Sequence, residues 1–547
     1  MVTVVMVTDM AKTYTDADNL VINTLPSIMT QTRTIAWFQL TLLLFLPCAN
    51  SANAGDWDIT PRISVTQYLT DNVNLTADNE EVDTITEITP GISVHGESGR
   101  LRADIDYEMQ NLIFLRDIND SGTNHQLNGN ATAELAKDLF FVDARGRIGQ
   151  QLIDVNRTIS NNNVNNAGNR SDFVAYDVSP FIQSHFGGYA DGIFRYTYGQ
   201  AFFDDDRIAD TTENSFDAGL VSSNKFGPLS WTADYNYLER DRDTIPGQTL
   251  QGNEQFENSE ANARYRLNND FSLVATAGYA NNDYNTSSVI VNGSYWSVGG
   301  LWQPSRFYSL EGQIGDNLET ATVSLYPSRR TSLVATYRNR KVGLNPGPAW
   351  FGTFNHYTRR TTWSARYLED TTTQQQEVLQ QGGVAFLGID PITGEVNPDP
   401  QPGDLVVSVP FAPVQSLTNQ VIERKNATGT FGLRAGKTGM RLTVFNNRRI
   451  FQETLTEERT KGFSGSVNRR IAPRTNAILT GTWQHTTYDD EEGRDTTYWF
   501  VQALVNRQIR PKLNGEVSYT FASQGRDNNQ IKVYWANTIY ARLTAFF

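Results

Sequence analysis

The chain has almost no cysteine, little histidine and only one long apolar run. Its 547 residues include one cysteine, Cys48, and five histidines. One cysteine excludes an internal disulfide, and the sequence contains no cysteine pair or His-x-x-x-His spacing for a metal site. The net charge of −14 argues against nucleic acid as a partner, because phosphate binding needs clustered basic residues. We therefore expect no metal, no cofactor and no nucleic acid.

The long apolar run, residues 35–46 (IAWFQLTLLLFL), predicts a signal peptide. Arg33 precedes the run and Ala52-Asn53-Ala54 follows it, which is the order of basic residue, apolar core and cleavage site that secretion requires. The run is also shorter than the roughly 20 residues of a comfortable membrane-spanning helix. The sequence therefore indicates an exported protein.

These features divide the chain into two parts. Residues 1–54 are predicted to be an N-terminal extension with a cleavable signal peptide, and residues 55–547 a single β domain. Residues 1–28 are long and acidic for the start of a signal peptide, so Met29 is an alternative start to Met1.

Beyond Gly55 the sequence lacks sustained helical periodicity and instead alternates with a period of two. The clearest segment runs from Leu101 to Met109, where five apolar residues are interleaved with Arg102, Asp104, Asp106 and Glu108. Such alternation gives a strand one apolar and one charged face. A tilted strand of about 9–11 residues crosses a bilayer, so these segments fit a transmembrane β-barrel.

The final residues resemble the C-terminal signature of bacterial outer-membrane proteins. Ile539, Leu543 and Phe547 share one face of a predicted last strand, and Arg542 lies on the other. The resemblance implies that this apolar face, ending in Phe547, is the signal that the barrel insertion machinery recognises. The predicted localisation is the outer membrane of a Gram-negative bacterium, with outer-membrane lipid as a partner.

Short and long connections alternate between the predicted strands. We count about 24 strands in an all-β, transmembrane, up-and-down antiparallel barrel with short periplasmic turns and longer outer loops. The even count requires a turn at Thr358-Arg359-Arg360, which splits residues 350–369 into two strands. The longest connection, residues 371–419, then lies on the outer side. Its apolar stretches favour folding into the barrel, where it would regulate passage; a plain surface loop is the alternative.

Charged residues on the predicted inner parity of the strands are the candidate site. The predicted lumen-facing residues are Arg102, Asp104, Asp106, Glu108, Arg264, Arg266, Arg338, Arg434, Arg441, Glu516 and Arg542. Both signs interleave along the sequence, which predicts little selectivity for small ions of one charge. Such a lining suits a hydrated solute with many hydroxyls, such as a glycan; the structural alternative is that inward ion pairs only brace a wide barrel.

Four stretches resemble the outer-membrane proteins associated with the PEP-CTERM/exosortase system. They are Trp57–Ile63 (WDITPRI), Ile88–Ile92 (ITPGI), Arg359–Thr362 (RRTT) and the closing Ile539–Phe547. The resemblance implies an outer-membrane barrel that takes part in exopolysaccharide production or export. Its implied partners are an exopolysaccharide and the export apparatus, and it supplies no catalytic residues.

Two motifs mimic ligand sites. Gly432–Thr438 (GLRAGKT) is one residue short of a phosphate loop and leads into a predicted strand, where a phosphate loop needs a helix. Asp390, Glu395, Asp399 and Asp404 lack the ligand spacing of a calcium loop. We therefore predict no catalytic, cofactor or metal residues.

The function hypothesis is a pore or scaffold for exopolysaccharide production and export. A general porin for small hydrophilic solutes is the first alternative. The second is a lipid-modifying barrel enzyme, in which a Ser/His pair would be assembled in space, although no Gly-x-Ser-x-Gly elbow is present.

Overall fold

The computed structural model describes most of the chain after the predicted signal peptide. It covers residues 55–547 except 161, 166, 244–252, 345, 374–384, 390–395, 398–404, 410–414, 416, 490–494 and 527–530. The predicted signal peptide and both start sites lie outside the described residues, as do the four acidic residues of the calcium-like pattern.

The described residues form an antiparallel sheet of 24 strands. Its first nine strands are β1 (Asp56–Thr70), β2 (Asp83–Glu97), β3 (Leu101–Phe114), β4 (Gly122–Ala136), β5 (Phe140–Leu152), β6 (Arg170–Phe186), β7 (Ala190–Phe203), β8 (Thr211–Ser222) and β9 (Leu229–Arg242). The next eight are β10 (Asn253–Arg266), β11 (Phe271–Asp283), β12 (Gly293–Ser305), β13 (Tyr308–Asp316), β14 (Leu318–Ser328), β15 (Thr331–Arg340), β16 (Gly347–Tyr357) and β17 (Thr361–Thr372).

After the longest connection, seven strands complete the sheet. They are β21 (Ile422–Ala435), β22 (Thr438–Phe451), β23 (Glu457–Ala472), β24 (Thr475–Tyr488), β25 (Thr496–Arg510), β26 (Leu513–Arg526) and β27 (Ile531–Phe546). Two 3-10 turns occur in connections, at Ile118–Asp120 and Asn224–Phe226. Within the described part of the chain, no helix is long and apolar enough to cross a membrane.

The sheet closes because the last strand pairs with the first. Residues 62–70 of β1 pair antiparallel with residues 538–546 of β27, so that Arg62 lies opposite Phe546 and Thr70 opposite Thr538. The amide of Phe547 continues the ladder by donating to the carbonyl of Pro61 at 3.0 Å. Closure leaves no unpaired sheet edge, as a barrel in lipid requires. The predicted fold and strand count are confirmed.

Alternation along the strands creates two faces. On β1, Thr66, Tyr68 and Thr70 are buried, whereas Val65 and Leu69 are about half exposed. Since successive side chains of a strand point to opposite faces, the polar set lines the inside and the apolar set forms the outer surface. The same outer surface carries apolar and aromatic side chains on other strands, for example on β11, β12, β13, β22 and β25.

The periplasmic turns are short, as predicted. The turn after β16 occupies residues 358–360, which confirms the predicted split of 350–369 into two strands. Gly187 and Gly188, between β6 and β7, have φ values of 60° and 76°, a region that glycine enters without the steric cost of a Cβ.

One outer connection departs from the predicted length. A single residue, Asn317, joins β13 to β14, and its φ is 58°. Asparagine tolerates this left-handed conformation better than most residues, which permits so short a turn. The longest outer connection runs from β17 to β21 and contains a separate three-stranded sheet of β18 (Ala385–Ile389), β19 (Val396–Asn397) and β20 (Leu405–Val409).

Candidate functional site

All eleven charged residues predicted to face the lumen lie on the inner parity of their strands. On β3, for example, they share a face with the buried Leu112 and Phe114. The set is Arg102, Asp104, Asp106, Glu108, Arg264, Arg266, Arg338, Arg434, Arg441, Glu516 and Arg542. The outer parity of the last strand holds Ile539 and Leu543, which are about half exposed, and Phe547 follows them.

The acidic residues of β3 pair with basic residues of β1 and β2. Arg62 lies 2.9 Å from Glu108 and 3.7 Å from Asp106, and His95 lies 2.7 Å from Asp104. His95, Asp104 and Asp106 bring donor atoms within 4.8 Å of one another, a spacing that could hold a metal ion. However, both ring nitrogens of His95 face carboxylates, and Arg62 already neutralises Asp106. These contacts explain the cluster without a metal.

A second group lies where the barrel closes. The Arg542 guanidinium donates to the hydroxyl of Thr66 at 2.9 Å and lies 3.6 Å from Glu87 on β2. Tyr540 donates to Glu516 at 2.5 Å. These contacts join the first and last strands through their inner faces and support bracing as one role of inward charges.

The order of strands around the barrel separates the charges that alternate in the sequence. Among the described residues, the inner faces of β2–β8 carry twelve acids and four arginines. The acids are Asp83, Glu87, Glu97, Asp104, Asp106, Glu108, Glu134, Asp143, Asp177, Asp191, Glu213 and Asp217, and the arginines are Arg102, Arg145, Arg147 and Arg195. We call this surface the acidic wall.

The opposite side of the ring has the reverse balance. In the described chain, the inner faces of β15–β17 and β21–β23 carry eight arginines and two acids. They are Arg338, Arg340, Arg366, Arg424, Arg434, Arg441, Arg449 and Arg470, with Asp370 and Glu458. We call this surface the basic wall. The structure therefore separates acidic from basic residues, whereas their order in the sequence predicts an even mixture of the two charges.

A polar recess of about 810 Å³ lies against the acidic wall and extends to β10 and β11. Arg195 lies 2.6 Å from Asp143, and Arg145 lies 3.0 Å from Asp177. The Arg195 guanidinium also covers the Phe181 ring, 4.1 Å from its centroid. Hydroxyl and amide side chains complete the lining, including those of Asn130, Ser179, Thr197, Ser215 and Asn258. Such a lining offers many hydrogen bonds to a hydrated solute.

Four charged residues form a buried network near the outer mouth. Arg240 on β9 donates through Nε to Glu254 on β10 at 2.8 Å, and both side chains are fully buried. Arg242 lies 3.1 Å from Glu254 and 3.0 Å from Glu453, which belongs to the connection between β22 and β23. Since β9 and β22 are ten positions apart in the ring of 24 strands, this contact crosses the mouth.

The described residues of the connection between β5 and β6 (153–160, 162–165 and 167–169) also fold into the mouth. The Ile159 amide donates to Gln524 on β26 at 2.8 Å, and the hydroxyl of Tyr534 on β27 donates to the Ile159 carbonyl at 2.6 Å. Val155 and Ile159 pack with the inward Tyr498 and Phe500 of β25 in a buried cluster. We call residues 153–169 the crossing loop.

Other outer connections join this layer. Ser287, between β11 and β12, donates its amide to the carbonyl of Gln452 at 2.9 Å. Asn419, near the end of the longest connection, accepts the Ala209 amide at 2.9 Å, and Leu417 donates its amide to the carbonyl of Ile153 at 3.1 Å. These outer connections are therefore hydrogen-bonded to one another.

Burial at the mouth alters the acidity of Glu453. It raises the pKa of the Glu453 carboxyl, and the Arg242 guanidinium opposes that rise. Burial and the ion pair with Arg242 therefore act on the pKa of Glu453 in opposite directions, and burial has the larger effect.

Sequence patterns missed the layer of outer connections. The buried apolar residues of the crossing loop, Ile153, Val155, Ile159 and Val164, show no periodicity that would predict their burial. The expected regulator, residues 371–419, is described mainly at its ends. There Thr372, Thr373 and Gln415 are buried, while much of its middle lies outside the described residues.

Each of the five histidines has a described partner that is not serine. They contact Asp104 and Asp106 (His95), Tyr107 (His125), Asp191 (His185), Thr331 (His356) and Thr497 (His485). None of these described contacts joins a histidine to a serine.

Comparisons find barrels of similar size at very low identity. No protein-family model matches the chain, and no curated protein matches it. The FrpB iron transporter from Neisseria meningitidis (F5-1 variant) aligns with a TM-score of 0.47 and 11% identity, over 90% of this chain and 83% of that chain. The siderophore receptor PirA from Pseudomonas aeruginosa aligns with a TM-score of 0.41 and 8% identity, over 89% and 80%. Similarity this low carries no information on what this barrel binds.

The structure itself defines the class of the protein. A closed sheet with a polar inside and an apolar, aromatic outside can lie in a bilayer with every strand hydrogen-bonded. The chain is an outer-membrane β-barrel protein of a Gram-negative bacterium.

Proposed function

We propose that this barrel is a gated passage for a glycan through the outer membrane and serves exopolysaccharide production. The observation that carries the proposal is the lumen lining: charged pairs, amides and hydroxyls line a recess of about 810 Å³ against the acidic wall. A glycan presents many hydroxyls and is bound mainly by such groups, whereas a small ion needs no recess of that size. The resemblance to PEP-CTERM/exosortase-associated proteins supplies the exopolysaccharide setting.

The joined outer connections favour a gated passage over a general porin. The crossing loop packs apolar residues against the inner wall, and Arg242 links opposite sides of the ring. A pore for small solutes works best with a standing opening, because diffusion through it is passive. Connections that must separate before passage suit a solute that is admitted selectively.

A deletion strain tests the physiological part of the proposal. We expect loss of polymer at the cell surface and accumulation in the periplasm, with restoration by the wild-type gene. Normal surface polymer would remove the exopolysaccharide role. Loss of surface polymer without periplasmic accumulation would instead favour a scaffold that supports synthesis.

A cysteine pair separates passage from scaffolding more directly. The described chain contains no cysteine, and Ile159 and Tyr498 belong to one buried cluster. A disulfide between Ile159→Cys and Tyr498→Cys should hold the crossing loop against β25 and stop export, and a reductant should restore it. Each single-cysteine variant is the matched control. Export that is unaffected by the formed disulfide would show that the polymer does not pass this loop.

A further inference from the structure

Three arginines descend the basic wall from its outer to its periplasmic end. Arg338 on β15 and Arg366 on β17 lie opposite Ala349 and Thr353 of the strand between them, β16. These partners are four residues apart, or about 13 Å along the strand at roughly 3.3 Å per residue. Gly432 on β21 lies opposite both Arg441 on β22 and Thr362 on β17. Thr362 is four residues closer than Arg366 to the periplasmic end of β17. The backbone positions of the three arginines are therefore spaced at steps of four residues.

The upper two of these arginines are not used in ion pairs. Arg366 is exposed to the lumen and Arg338 lies over the Phe351 ring, 5.1 Å from its centroid. Within the described chain neither has a carboxylate at ion-pair distance, and Glu260 and Glu369 act on Arg338 only as more distant charges. Higher on the same wall the pattern differs, since Arg424 pairs with Asp370 at 2.6 Å and Arg449 with Glu458 at 3.3 Å. Bracing by ion pairs therefore accounts for Arg424 and Arg449 at the outer end of the wall. It does not account for Arg338 and Arg366.

We infer that the glycan is acidic, and that its carboxylate or sulfate groups move along the basic wall. This inference rests on the proposed function. A guanidinium binds such groups through two parallel hydrogen bonds, which makes arginine the side chain best suited to them. A neutral glycan can accept hydrogen bonds from a guanidinium but forms no ion pair with it, so arginines without a close carboxylate favour an acidic glycan.

The separation of the acidic and basic walls supports the inference that the glycan is acidic. Charges in salt solution act over about 8 Å at physiological ionic strength, so each wall affects mainly a solute that lies close to it. The carboxylate or sulfate groups of an acidic polymer are attracted to the basic wall and repelled from the acidic one, so the uncharged hydroxyls of the polymer face the amides and hydroxyls of the recess. Several arginine sites at intervals allow the polymer to be held and released in turn, as passage requires.

Block of ion current by short oligosaccharides tests this inference. The probes are oligogalacturonate, which is acidic, and maltooligosaccharide of equal length, which is neutral. In planar bilayers we expect oligogalacturonate to bind the wild-type barrel more tightly. Arg366→Gln should weaken that binding by about tenfold, the effect of losing roughly 1.4 kcal/mol from a charge-assisted contact. Arg366→Lys should retain part of the affinity for oligogalacturonate.

Arg102→Gln is the matched control. It removes the same charge from the lumen, but from the acidic wall, and Arg102 is likewise exposed. Both variants should shift ion selectivity towards cations, whereas only Arg366→Gln should weaken the block by oligogalacturonate. Equal weakening by both would show that overall lumen charge acts and not the basic wall. Binding of each probe to detergent-solubilised protein provides the same comparison without a requirement for ion current.

The outcomes distinguish this inference from the proposed function. If both probes bind with equal affinity, the barrel binds glycans but the acidic class is wrong. If neither binds, in bilayers or in detergent, the proposed glycan passage fails and this inference fails with it.

Discussion

Arg242 at the end of β9 lies 3.0 Å from Glu453, on the opposite side of the barrel mouth. The same guanidinium lies 3.1 Å from Glu254, and all three side chains are nearly inaccessible to solvent. A buried arginine between two carboxylates fixes both in place, and its removal would leave Glu453 without its ion-pair partner and Glu254 with Arg240 alone. This relationship links the stability of the barrel rim to the position of the outer connections.

Arg242→Gln should destabilise the folded barrel more than Glu453→Gln. Losing one partner of a buried ion pair costs about 3–5 kcal/mol, and Arg242 has two acidic partners whereas Glu453 has one basic partner. The temperature at which each variant unfolds on a heat-modifiability gel gives the comparison. Equal unfolding temperatures would show that the network does not hold the mouth.

The stability contributed by Glu453 should depend on pH. Burial raises the folded pKa of this carboxyl above the unfolded value, which is about 4.3 for a free glutamate. The folded state therefore binds its proton more readily, and the free energy of unfolding falls as pH rises from the unfolded to the folded pKa. Relative to Glu453→Gln, the wild type should gain stability as pH is lowered through that interval. If the free energies of unfolding of the wild type and of Glu453→Gln changed with pH in the same way, the pKa of Glu453 would not be raised by folding.

Ile105→Arg should impair the barrel, whereas Asn128→Arg should be tolerated. Ile105 has the outer parity of β3, and an arginine facing the middle of the bilayer costs about 2–4 kcal/mol. Asn128 lies on the inner face of β4 directly opposite Asp106, so an arginine there meets water and an acid. Folding yield in lipid vesicles measures both. If the two substitutions were equally tolerated, the assignment of faces would be wrong.

Deleting Phe547, or replacing it with serine, should reduce insertion into the outer membrane. Its side chain is about two-thirds exposed, and its backbone completes the pairing of β27 with β1. The exposed side chain is therefore available to the insertion machinery. Phe307→Ser, in an exposed turn, is the control that removes an equivalent ring elsewhere. Wild-type levels of heat-modifiable protein after loss of Phe547 would contradict the predicted signal.

The sequence predicts the barrel well because alternation is a local property. Leu101 to Met109 shows both faces of β3 without reference to any other strand, and Thr358-Arg359-Arg360 marks a turn through its own composition. The inward-facing residues of each strand, such as Arg338 and Arg542, can therefore be predicted from the alternation within that strand. The count of 24 follows once the turns are located.

The site is harder to predict because it depends on which strands face each other. Arg242 and Glu453 are 211 positions apart in the chain, and neither lies in a pattern that relates it to the other. The separation into acidic and basic walls likewise appears only when strands are placed around the ring. The burial of Ile159 depends on Tyr498 and Phe500, which belong to a distant strand.

We propose that the outer connections close a lumen that admits a glycan. Replacing residues 156–168 of the crossing loop with a short Gly/Ser linker, and recording single channels in planar bilayers, tests it most directly. We predict that the variant inserts normally, conducts more than the wild type and is blocked reversibly by added oligosaccharide. Unchanged conductance in a correctly inserted variant, with no block by any oligosaccharide, would show that the crossing loop does not close the lumen and that the lumen does not admit a glycan.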